Sequence, residues 1–126
     1  MFAYFLLKKL ERTTNAMYDV VVESESNPVD TTVTKKRLDA SYDIKKTIGE
    51  MKPVFGEELD AVRESEAAYN CNLENGYYDK GLGKIEGWFL AKYIKINFQR
   101  YREYFKILNS VELRLNWILV KLERLA

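Results

Sequence analysis

The stretch GKIEGWFLAKYIKINFQRYREYFKILNSVELRLNWILVKLERLA, residues 83–126, decides the fold. Taken every three or four residues it reads Gly87, Leu90, Ile94, Asn97, Tyr101, Tyr104, Leu108, Val111, Leu115, Ile118, Leu122 and Leu125. The alternation of fours and threes runs for more than five heptads, with no proline and no glycine after Gly87. Apolar residues at that period line one face of a helix, so the spacing predicts a long amphipathic, coiled-coil-like helix over about residues 84–125. Asn109-Ser110 is the place where a shorter final helix would start, with Ser110 as its cap. The stripe nonetheless keeps its register through that dipeptide, which favours one uninterrupted helix.

Working outward, Phe2, Leu6, Leu10, Thr13, Met17 and Val20 predict a first helix over about residues 2–21. The triplet Val20-Val21-Val22 offers a short strand over 18–22 as the alternative. Residues 23–32 read as a linker, because Asn27-Pro28 disfavours helix and Ser, Asp and Thr compete for backbone hydrogen bonds. A second helix is expected over 33–50, ended by Pro53 after a weak last turn at Gly49. A third is expected over 57–69, with Glu57, Glu58 and Asp60 at its positive dipole end. Residues 70–83 hold three glycines and three asparagines around the turn dipeptide Asn75-Gly76 and read as a loop. The predicted architecture is a single all-α domain, three shorter helices packed on one long C-terminal helix.

Helix length bears on partners. A 42-residue helix is about 63 Å long at ~1.5 Å per residue. A compact 126-residue domain is only ~36 Å across. The C-terminal end is therefore expected to protrude and to meet another chain through Leu108, Val111, Leu115, Ile118, Leu122 and Leu125. Phe2 and Leu6 join that candidate interface, because an exposed apolar N-terminus is a liability. Asn97, polar among apolar neighbours, sets register in such a seam or finds a partner locally.

Composition narrows the chemistry. Apolar residues make up 47% and charged residues 31%, values of a globular chain. Twenty basic residues against nineteen acidic ones leave a net charge of +1, so no global field recruits nucleic acid or an anionic surface. The single cysteine, Cys71, forms no intramolecular disulfide, which points to a reducing intracellular compartment or a virion interior. Absence of histidine removes Ser-His and Cys-His pairs, HExxH zinc sites and histidine proton shuttles. No apolar run approaches the ~20 residues of a membrane span, and the opening residues lack the pattern of a signal peptide.

Lys92, Lys95, Arg102 and Lys106 stand among aromatic residues and suggest phosphate contacts beside stacked bases. Helical geometry puts those four opposite the apolar stripe, as a solvated basic face. Gly76 to Lys84 leads into a helix but lacks the Gly-Lys-Ser/Thr of a phosphate loop. The acidic run Glu57, Glu58, Asp60, Glu64 and Glu66 has the spacing of a solvated helix face more than of a metal site, and no base neighbours Cys71. No catalytic residue, cofactor or metal ligand is therefore assigned. Residues 57–79 carry seven acids and one base, and residues 80–126 carry ten bases and four acids, a segregation suited to packing within or between chains. Richness in Tyr, Lys, Asn and Ile resembles small viral or phage proteins from AT-rich genomes. The sequence thus points to a non-enzymatic helical assembly protein, a virion component by that likeness. An inhibitory or adaptor module of the immunity or anti-defence type is the alternative, and a nucleic-acid-binding domain the second.

Overall fold

A computed structural model of the chain describes residues 2–25 and 30–125, and Phe2 through its backbone alone. Three helices make up most of these residues: α1 (Phe2–Ser24), α2 (Thr31–Glu74) and α3 (Leu82–Leu125). No strand occurs among the described residues. Residues 18–22 are helical, which overturns the strand alternative for the valine run. Residues 23, 24, 31 and 32 of the expected linker 23–32 belong to helix ends, while residues 26–29 lie outside the described residues.

The main departure from expectation is α2. The helices expected over 33–50 and 57–69 are one helix of 44 residues with Pro53 inside it. Proline removes one backbone donor and crowds the carbonyl four residues earlier, at a cost of about 3 kcal/mol. Against that stands the apolar series Ile44, Ile48, Met51, Phe55, Leu59 and Val62, which keeps helical register straight through Pro53. Ile48, Phe55 and Val62 are all buried. Each fully buried side chain of this size contributes about 1.5–3 kcal/mol, so burial on both sides of the proline outweighs the local defect.

Caps set the ends of α2. Asp30 accepts from the Thr32 amide through its side chain at 2.9 Å, and its carbonyl accepts from the Thr34 amide at 3.0 Å. At the far end the Tyr77 amide donates to the Asn72 carbonyl (2.9 Å) and the Gly76 amide to the Leu73 carbonyl (3.2 Å). Gly76 has φ of 73°, the left-handed conformation that closes such an end. The expected 70–83 loop is therefore only a turn over 75–81, and α3 starts at Leu82. The helix α3 passes through Asn109-Ser110 without interruption.

The chain divides into two compact units, residues 1–51 with 104–126 and residues 52–103. In the first, α1 and the start of α2 flank the end of α3. Val21, Ile118 and Leu122 form the centre of its core, with Met17, Tyr18, Leu38 and Trp117 packed against them. The Ser41 hydroxyl, buried, lies 2.8 Å from the Arg37 carbonyl and 2.9 Å from the Met17 sulfur. Around the rim, Arg114 donates to Asn15 (2.7 Å), Lys121 pairs with Glu25 (2.8 Å) and Tyr42 donates to Glu123.

The second unit is a two-helix hairpin, the end of α2 against the start of α3. Phe55, Val62, Ile94 and Tyr101 are its buried apolar residues. Phe55 and Tyr101 pack as tilted rings 6.3 Å apart, and the Tyr101 hydroxyl donates to Glu58. Buried Asn97 donates to the Tyr93 carbonyl one turn back at 2.7 Å, so its partner is local.

Burial corrects the length-based expectation of an uncovered C-terminal end. Leu108, Val111, Leu115, Ile118 and Leu122 are at most 2% exposed, within the first unit itself. That estimate set α3 against the width of a compact domain built with helices of about twenty residues or fewer, whereas α2 alone runs for 44 residues. Leu125 remains 43% exposed and Leu6 is half-buried. The expectation for the Phe2 side chain lies outside the described residues.

Candidate protein-interaction face

Helix periodicity gives residues 82–103 a second stripe, on the side away from their buried one. Ile94, Asn97 and Tyr101 point inward. At ~100° per residue, Leu82, Ile85, Phe89, Tyr93 and Ile96 fall together on another face, spaced three, four, four and three. Their exposures are 78%, 54%, 61%, 51% and 48%. Isolated exposed apolar residues are ordinary, but a continuous row of five is not. Leu82, Phe89 and Ile96 repeat every seven residues, the interval at which helices pack in register.

The facing flank of α2 is built from different residues. Glu57, Ala61, Glu64 and Ala68 are exposed there, Val54 is 50% exposed, and Ser65 and Asn72 are half-buried. One side of the hairpin thus shows large apolar side chains from α3 beside small and acidic ones from α2. Between them runs an open groove of about 580 Å³, walled by Asn72, Tyr77, Tyr78, Ile85, Phe89 and Tyr93 among others.

The turn holds this groove in place. Tyr69 stacks on Tyr78 with ring centres 5.1 Å apart, and Tyr77 meets Tyr78 edge-on at 5.1 Å. A Cβ on Gly87 would lie 2.7 Å from the Tyr78 ring, and one on Gly83 would lie 2.2 Å from the Tyr77 carbonyl oxygen. Two glycines one turn apart therefore let the 75–81 segment lie directly on α3. The Tyr77 hydroxyl donates to Glu86 at 2.9 Å, and this bond to a carboxylate raises the tyrosine above its usual range.

No family model, curated protein or solved structure matches this chain.

Other candidate residues are placed as follows. Lys92, Lys95, Arg102 and Lys106 are exposed, with the Lys92 ammonium 4.5 Å from the centre of the Trp88 ring. Tyr101 and Tyr104 are buried, so neither offers a ring face for a base. Among the described residues no three carboxylates or thiols converge as a metal site requires. Cys71 is exposed. No helix of the described residues is long and apolar enough to cross a membrane. A smaller hollow of about 260 Å³ in the first unit is lined by Tyr18, Leu113, Arg114 and Trp117. Its rings already pack on each other at 4.8 Å, beneath the Arg114 guanidinium.

The row from Leu82 to Ile96 was available in the sequence as a seven-residue repeat. Only the α2 position separates the two stripes into covered and open.

Proposed function

We propose that this chain is a non-enzymatic helical assembly protein that works through protein contacts made by its α2–α3 hairpin. The observation that carries this reading is the open row of Leu82, Ile85, Phe89, Tyr93 and Ile96. The largest apolar patch of a typical monomer is roughly 300–600 Å² and is itself often functional. With full aromatic areas of about 150–250 Å², these five side chains alone expose on the order of 500 Å². The role of a phage or viral particle component is supported by composition, and the heptad spacing of the row supports coiled-coil-like docking.

Photocross-linking in cells tests this reading. A benzoylphenylalanine at position 89 should give a discrete protein adduct, and one at Arg63, an exposed polar position of α2, should not. Absence of any adduct from position 89 would remove the proposal. Cross-linking to nucleic acid in place of protein would favour a nucleic-acid-binding domain.

A further inference from the structure

We infer that the occupant of the open hairpin face is a second copy of the same face, so that two hairpins close into a four-helix bundle. This rests on the assembly reading and adds the partner. Three features favour a copy over an unrelated chain.

The first is size. The face offers Phe89, Tyr93 and Ile96 from α3, but only Ala61, Ser65 and Ala68 from the level of α2 beside them. Large residues pack best into spaces left by small ones, and alternation of the two across facing positions is how bundle layers interdigitate. A two-fold axis parallel to the helices sets α3 of each copy over α2 of the other. Both large rows then meet small rows at once, in an isologous contact that closes.

The second is charge. The bond from the Tyr101 hydroxyl to Glu58 fixes the relative heights of the two helices. Arg100 and Glu57 therefore stand within about one helical turn of each other in height, on different helices, and both are exposed. A two-fold parallel to the helices preserves height, so Arg100 of one copy comes within side-chain reach of the height of Glu57 of the other. A self-pairing of the α3 rows alone would leave the acidic flank of α2 unused.

The third is area. Roughly 500 Å² from the five side chains, enlarged by the groove walls and the α2 flank, approaches the ~800 Å² per partner of a stable interface.

The test is the mass of the purified chain by light scattering, with sedimentation equilibrium for affinity. The wild type should be dimeric at ~100 µM. Phe89→Asp should weaken the dimer more than ~100-fold while circular dichroism keeps its helicity. Ala68→Trp, which fills the small row, should weaken it more than ~10-fold; an unchanged dimer would mean that the α3 rows pair with each other and would overturn the bundle. Arg100→Glu should cost roughly ~10-fold, and Glu57→Arg added to it should restore affinity to within about threefold. A strict monomer whose position 89 still cross-links another protein in cells would overturn self-pairing and leave the assembly reading standing. A strict monomer with no adduct would remove both.

Discussion

Thr14 carries the oxygen least at ease in this molecule. Its side chain is fully buried, and among the described residues its hydroxyl is the one buried side-chain polar atom without a hydrogen-bond partner. Burial of an unsatisfied hydroxyl costs about 1–3 kcal/mol, and replacement by an apolar group of the same shape recovers part of it. Thr14→Val should therefore stabilise the protein by about 1 kcal/mol in chemical denaturation. Its neighbour Thr13 is a natural control, exposed and donating to the Lys9 carbonyl at 2.9 Å. Thr13→Val should shift stability by less than about 0.5 kcal/mol. Glycines give a second contrast at this scale. A Cβ on Gly56 meets nothing within 4 Å, whereas one on Gly83 meets backbone at 2.2 Å. Gly56→Ala should gain about 0.5–1 kcal/mol from helix propensity. Gly83→Ala should lose about 1–3 kcal/mol, because the carbonyl it strikes cannot rotate away as a side-chain tip does. Equal effects of the two would mean that the turn does not rest on α3.

At the scale of elements, what was legible depended on whether a signal was periodic or local. Helical class and the course of α1 and α3 follow from apolar spacing alone, because burial of a stripe acts over many turns at once. Local signals misled at Pro53 and Gly49, which together look like a helix end. Their penalty is real, but Phe55 and Val62 are buried beyond it, and tertiary packing decides whether a breaker breaks. Asp30 reads in sequence only as part of the linker, and its role as a cap emerges with the positions of the Thr32 and Thr34 amides. The proline should then be a defect carried by α2 rather than a necessity of it. Pro53→Ala restores a donor toward the Gly49 carbonyl and should raise stability by about 1–3 kcal/mol, read as a higher denaturation midpoint at unchanged slope. A loss of stability would show that the helix depends on the conformation proline imposes.

For the whole molecule, the question is which apolar surface holds the chain together and which is left over. A stripe of leucines reads the same in sequence whether its own chain or another covers it. Length separates the two cases for Val111 to Leu125 only where no other helix reaches them, and the buried residues of that stretch through Leu122 sit under α1 and the start of α2. The open row lies instead at Leu82 to Ile96, in a unit made of only two helices, which cannot enclose every face of either. This exchange of roles has a measurable consequence. Leu122 is 1% exposed and packs with Val21 and Ile118. Leu122→Ala leaves a cavity in that cluster and should cost about 2–5 kcal/mol, as core truncations of this kind do. Leu125, three residues further along the same stripe, is 43% exposed and should lose less than about 1 kcal/mol on the same change. Denaturation of the two variants at two protein concentrations distinguishes the cases. If the cost at Leu122 were a lost contact with another chain, it would shrink on dilution of the wild type. Because its partners are in the same chain, the cost should stay the same at both concentrations.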